Sequence, residues 1–184
     1  MKAADYLFTS ARLGFRNWKP TDLNDFTAMN ADPLVMKYFP AVLSPMESEK
    51  SMALQIANCV EKGYCYFATD ELSSGKLIGM IGVSIKDFEA SFTPCLDVGW
   101  RLAKEFWGKG YATEGAKRCL EFAFQELGVN RMISIAPKVN AASIRVMQKI
   151  GMYELAEFKH PKLLEYNHLV DCICYEITSP TDLL

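Results

Sequence analysis

The spacing of apolar and polar positions changes period several times along this chain. ARLGFRNW, residues 11–18, predicts a first strand. In TDLNDFTAMN, Leu23, Phe26 and Met29 recur at helical spacing, with Thr21 placed to cap the helix. A short segment, PLVMKYF, follows. SPMESEKSMALQIANCVEKG predicts a stronger helix, with Ser44 as cap, Pro45 in the first turn, Glu47 three residues after the cap and Gly63 at the end. The period then changes. YCYFAT, KLIGMIGVSI and CLDVGWRL read as strands, the first two separated by the turn residues DELSSG. YATEGAKRCLEFAFQELG returns to helix, with Ala112, Ala116, Leu120, Ala123 and Leu127 on one stripe and Gly128 as the stop. RMISIAP predicts a strand, NAASIRVMQKIG a helix, and MYELAEF and HLVDCICYEI two more strands. The series implies a mixed α/β domain: one sheet with helices on its faces and an antiparallel final strand pair.

Composition narrows the class. The 184 residues contain no repeat or long linker, so one domain over 1–184 is expected. Half the residues are hydrophobic and 23% are charged, as in a globular protein with a real core. A net charge of −2 and the absence of a polybasic run argue against nucleic acid and anionic membrane as partners. No apolar run approaches the roughly 20 residues that span a bilayer. The opening MKAADYLFTSARLGF carries Lys2 and Asp5 and lacks the apolar run of a secretory signal. Cys59, Cys65, Cys95, Cys119, Cys172 and Cys174 fall in segments that read as core, which predicts buried free thiols in a reducing cytoplasm. His160 and His168 are the two histidines, no zinc-like ligand pair is apparent, and no metal is expected.

The candidate chemistry begins at FWGKGYATEGA, residues 106–116. A Walker loop would need a glycine where Ala103 stands and a hydroxyl after the lysine. A dinucleotide fingerprint would need a glycine where Thr113 stands. The remaining phosphate reading is a pyrophosphate held by successive backbone N–H groups of Gly108, Lys109, Gly110, Tyr111, Ala112 and Thr113, where the chain enters a helix and the dipole favours an anion. On the turn alone, this and a plain structural loop both stay open. A second cluster, VNAASIRVMQKIGM, puts Asn140 and Ser143 on the first turn of a helix while Ile144, Met147 and Ile150 face the core.

Together these clusters resemble the GNAT superfamily of acyl-CoA-dependent N-acetyltransferases. The turn resembles that family's Q/R-x-x-G-x-G/A loop, with Glu105 in the first position. LGFRNWKPTDLNDF, NADPLVMKYF, DVGWRLAKEFWGKGYATEGA, NAASIRVMQKIGM and EFKHP are similar to the RimJ/RimL group of ribosomal-protein N-terminal acetyltransferases, a likeness covering nearly the whole chain. It implies a mostly antiparallel sheet that splays between its fourth and fifth strands (β4–β5 in the family's count), with pantetheine lying there like an extra strand. Glu105 departs from the loop pattern and is expected to point away from the phosphates. Met147 stands where many members have a tyrosine general acid; Ser143 matches the RimJ/RimL serine.

The reaction so implied is transfer of an acetyl group from acetyl-CoA to a primary amine by direct attack. An α-amine has a pKa of about 7.7–8.0 and needs only a weak base. By family likeness, the backbone of Val98, Gly99 and Trp100 would hold the thioester carbonyl and pantetheine. Ser143 would donate toward the leaving sulfur, and Asn140 would bond pantetheine or the acceptor. Asp97 would deprotonate the amine through water; its alternative is an ion pair with Arg101, four along on the same strand face. Trp18, Tyr38, Phe39 and His160 are candidates for the acceptor pocket, with core packing the stronger reading of Trp18. The acceptor is a protein N-terminus or a small molecule such as a polyamine. A CoA-binding regulatory module without turnover is the reading from another class.

Overall fold

The computed structural model describes residues 6–179. Lys2 and Asp5, used above in reading the N-terminus, lie outside them. Eight strands form one sheet: β1 (Phe8–Thr9), β2 (Leu13–Arg16), β3 (Tyr66–Glu71), β4 (Lys76–Lys86), β5 (Cys95–Leu102), β6 (Arg131–Pro137), β7 (Tyr153–Lys159) and β8 (Asp171–Thr178). Their order is β1-β2-β3-β4-β5-β6-β8-β7. Every neighbouring pair is antiparallel except β5 and β6, which run parallel and share the one register pair Asp97–Ile133. Beyond it the strands part, and Val98–Leu102 and Ser134–Pro137 line the two sides of a cleft. The splay falls between the fifth and sixth strands because the short β1 is counted ahead of the others.

Four helices cover the sheet: α1 (Leu23–Ala31), α2 (Pro45–Lys62), α3 (Tyr111–Gln125) and α4 (Ala141–Lys149). Alternation along β5 separates the faces. Val98 and Leu102 pack with Ala116, Leu120 and Met147 of α3 and α4. On the opposite face, Ala68 and Met80 pack with Phe26, Met29 and Met52 of α1 and α2. No described helix is long and apolar enough to cross a membrane. All six cysteines are buried and unbridged.

Local chemistry set α2 as expected. Ser44 Oγ accepts from the Glu47 N–H at 3.3 Å, Glu47 Oε2 accepts from the Ser44 N–H at 2.8 Å, and Gly63 closes the helix at φ 74°. The start of α1 differs. A 3-10 turn at Pro20–Asp22 precedes it, and Thr21 does not cap it. Asp22 at its head binds Arg16 instead, at 2.7 and 3.0 Å. A charge-assisted fork outweighs a neutral hydroxyl cap, so the buried guanidinium dictates how the chain enters α1. The first strand also starts earlier than the pattern suggested, as a β1–β2 hairpin.

Candidate active site

The cleft has a volume of about 910 Å³ and passes through the splay from one face of the sheet to the other. On the α3 face, Gly108 and Gly110 both adopt left-handed φ, 73° and 81°. The need for glycine is thus conformational, since a Cβ at Gly108 would meet nothing within 4 Å. Gly110 is the N-cap of α3 and supplies no side-chain cap. The first N–H groups of that helix therefore have no partner within the helix, and Tyr111, Ala112 and Thr113 line the cleft. This is the arrangement an anion needs.

Arg12 braces the loop from outside. Its Nε pairs with Glu114 at 2.6 Å and its Nη1 donates to the Lys109 carbonyl at 3.0 Å. Because a trans peptide is planar, holding that carbonyl on one side turns the Gly110 N–H to the other. Lys109 itself does not line the cleft; its ammonium lies 5.0 Å from the Phe106 ring centroid. Glu105 is exposed and lines a separate cavity, away from this loop. On α4, Asn140 Oδ1 caps the helix by accepting from the Ser143 N–H at 3.2 Å. Ser143 lines the cleft, and its hydroxyl takes no partner among the described residues. Met147 is buried.

The opposite face carries a network that the sequence did not reveal. Tyr66 donates to Asp97 Oδ2 at 2.6 Å, and Lys86 Nζ donates to the Tyr66 hydroxyl at 2.9 Å and lies 3.6 Å from Asp97. Gly99 makes this possible, because a Cβ there would sit 2.9 Å from the Tyr66 ring. Burial raises the Asp97 pKa above the usual carboxylate range, with Lys86 and Tyr66 pulling it back. Burial also lifts Tyr66, reinforced by the Asp97 charge. For Lys86, burial works against the ammonium, but Asp97 and Tyr66 outweigh it and hold the pKa above the ordinary value.

The expected alternative for Asp97, an ion pair with Arg101, does not form. The two share a face, but four residues of strand separate their Cα atoms by about 13 Å, and nearer partners take the carboxylate. Arg101 donates instead to Asn30 Oδ1 at 2.7 Å and stacks 4.2 Å from the Phe39 ring centroid.

The acceptor candidates divide. Tyr38, Phe39 and His160 line the cleft. Trp18 is buried against Phe26 with ring centroids 4.5 Å apart, and its indole N–H donates to the Tyr66 carbonyl at 2.8 Å. His160 is half-buried beside Phe88 at 4.6 Å, and its Nδ1 accepts from the Lys162 N–H, which leaves Nε2 protonated in the neutral ring. His168 is exposed. The positioning residues missed from sequence were Tyr66, Lys86 and Arg12. Tyr66 had one available signal: a tyrosine on an inner strand at a position that can face a glycine of the splaying strand.

A mostly antiparallel sheet that splays beside a glycine turn and an uncapped helix N-terminus agrees with the comparisons to known proteins. Residues 12–153 match the family model described as the acetyltransferase (GNAT) domain, and the chain belongs to that family of N-acetyltransferases, which use acetyl-CoA. It is 32% identical to the uncharacterized N-acetyltransferase YnaD of Bacillus subtilis over 152 residues, 82% of this chain and 85% of the relative. Its fold is similar to RimL, a ribosomal L7/L12 α-N-protein acetyltransferase solved with coenzyme A (TM-score 0.73, 15% identity, covering 92% of this chain and 95% of that one). It is equally similar to spermidine N-acetyltransferase from Vibrio cholerae solved with coenzyme A and spermine (TM-score 0.72, 17% identity, covering 91% and 96%).

Proposed function

We propose that this enzyme transfers the acetyl group by direct attack of a primary amine in a ternary complex, the donor entering from the α3 face and the amine from the α1 face. The observation that carries the reading is the cleft itself, with uncapped helix N–H groups at one end and a Tyr66–Asp97–Lys86 network around a buried carboxylate at the other. Acetyl-CoA, when bound, supplies the activated acyl group. Gly108, Gly110 and the first turn of α3 hold its pyrophosphate. The backbone of Val98, Gly99 and Trp100 orients the acyl end, and the Asn140 side-chain amide, whose oxygen is already used as a cap, offers its N–H₂. Ser143 donates toward the sulfur side.

Asp97 accepts the amine proton through Tyr66, which takes a proton on its oxygen as its own passes to the carboxylate. Burial that raises the Asp97 pKa makes it a better proton acceptor. A covalent acyl-enzyme is disfavoured: Cys172 is the cysteine lining the cleft, and burial pushes its thiol up to about 11, which keeps it protonated. Two acceptors fit this chemistry: a protein N-terminus and a small-molecule amine. The walls that Tyr38, Phe39, His160 and Leu163 build around the acceptor end favour the small molecule.

Calorimetry with acetyl-CoA tests the donor site, and the absence of binding at millimolar ligand would sink the proposal. Ser143→Ala should lower kcat by roughly tenfold or more while acetyl-CoA affinity changes little. An unchanged rate would remove Ser143 from the mechanism.

A further inference from the structure

Charge within the cleft is distributed very differently from charge over the chain. The chain is slightly acidic at −2. The cleft is lined by Lys37, Lys86, Arg101, Arg145 and Lys149 against a single carboxylate, Asp97. That carboxylate is already held by Tyr66 and Lys86. Arg145 and Lys149 belong to α4, on the donor face. Arg101 projects from the other face, where its register partner Met80 packs with α1 and α2.

Arg101 makes no ion pair with any described carboxylate. Its Nη1 is committed to Asn30, and its Nε is shielded from water and donates to nothing. Asn30 is fully buried and passes its own amide hydrogen to Ser48 Oγ at 3.2 Å, so the guanidinium is held at one corner by a fixed acceptor. Phe39 fixes its plane. The edge formed by Nε and Nη2 is the pair of parallel donors that a carboxylate fits. Elsewhere in the same sheet Arg16 uses that edge in this way, with Nε to Asp70 Oδ2 at 2.7 Å and Nη2 to Asp70 Oδ1 at 2.8 Å.

Resting on the acetyltransferase reading above, we propose that the acceptor is an amine of amino-acid or short-peptide size that carries its own carboxylate, and that Arg101 binds that carboxylate while the amine lies beside Tyr66 and Asp97. Asp97 and Arg101 share a face about 13 Å apart at Cα along the strand, and both line the cleft, with the Tyr66 ring against Gly99 between them. An acceptor that joins the two ends carries its amine and its carboxylate on one small molecule or short peptide. A polyamine has no group for Arg101 and would meet Lys86 and Arg101 as like charges.

The test is a panel of free amino acids and dipeptides, each paired with its C-terminal amide, plus spermidine, assayed with acetyl-CoA for wild type, Arg101→Gln and Arg101→Lys. The expected result is a preference in kcat/KM of tenfold or more for a free carboxylate over its amide. Arg101→Gln should abolish that preference and Arg101→Lys should restore part of it, with acetyl-CoA affinity by calorimetry unchanged in both. Amino acids outperforming dipeptides, or the reverse, sets the distance between the two groups. The proposal is overturned if amides or spermidine react as well as carboxylates, if no carboxylate-bearing amine reacts, or if Arg101→Gln keeps the wild-type ratio. Loss of acetyl-CoA binding in the wild type would instead overturn the acetyltransferase reading, so the two failures are distinguishable.

Discussion

Two arginines, Arg16 buried and Arg101 half-buried, lie on one cross-strand row of this sheet. Arg16 pairs with Ala68, Ala68 with Met80, and Met80 with Arg101, so both guanidiniums project from the same face, three strand spacings apart. Arg16 is closed on both edges, by Asp70 and by Asp22, and Tyr6 also donates to Asp70 at 3.3 Å. Arg101 has one amide oxygen, one aromatic face and no carboxylate. Burial acts on both. At Arg16 the two carboxylates overcome it and raise the pKa; at Arg101 only Tyr66 opposes it, too weakly, and the pKa falls to about 10. A buried charge needs a counter-charge. Where the chain supplies it, the arginine locks β2, β3 and the entry to α1 together. Where the chain withholds it beside a cleft, the ligand is left to supply it.

The largest expected effect tests the closed end of the row. Asp70→Ala leaves Arg16 buried with half its partners gone, and urea unfolding should show a loss of about 3–5 kcal/mol. Arg101→Gln should cost less, about 1–2 kcal/mol, because it loses the hydrogen bond to Asn30 but breaks no ion pair. Equal losses at the two sites would end the distinction between a structural and a ligand-seeking arginine.

The next effect belongs to the Tyr66–Asp97–Lys86 network. Tyr66→Phe removes the hydroxyl that passes the amine proton to Asp97 and should lower kcat by about 10²-fold with little change in KM for acetyl-CoA. A parallel rise in that KM at constant kcat would move Tyr66 from proton transfer to donor positioning.

A smaller effect separates two glycines of similar backbone. Gly110 and Gly63 have φ 81° and 74°, and neither is crowded by backbone. Alanine at either should cost about 1–2 kcal/mol of stability from left-handed strain. Only Gly110→Ala should also weaken acetyl-CoA binding, measured by calorimetry, since Gly63 ends α2 away from the cleft. Equal affinities in the two variants would remove the 108–113 turn from donor binding.

What the sequence disclosed follows the same division. Features fixed by near neighbours were legible: the Ser44–Glu47 capping box, Gly63, the Gly108–Gly110 turn and the Asn140 cap all act over four residues or fewer. The period of two along CLDVGWRL placed Asp97 and Arg101 on one face, but it did not show that their separation exceeds pairing distance. The network partners lie far apart in the chain, Tyr66 and Asp97 by 31 residues and Arg16 and Asp70 by 54. Only the register of β2 to β5 brings them together, and spacing along a single strand carries no record of register. For the same reason the net charge of the chain concealed a basic cleft.

The smallest expected effect concerns His160, which lines the cleft. Burial lowers its pKa from the ordinary 6.5, and the charges of Lys162 and Lys86 lower it further. Phe88 and Phe158 pack on its ring and offer a proton no hydrogen-bond partner. The folded state therefore binds a proton at this site more weakly than the unfolded chain does. The sign follows: the stabilisation is present above about pH 6.5 and is lost as pH falls through the lowered folded pKa. His160→Gln should shrink the drop in Tm between neutral pH and about one unit below 6.5, relative to wild type. An unchanged drop would mean that protonated His160 is accommodated. The cleft would then tolerate one more cation beside Lys86, which would weaken the argument that its positive charge awaits an anion.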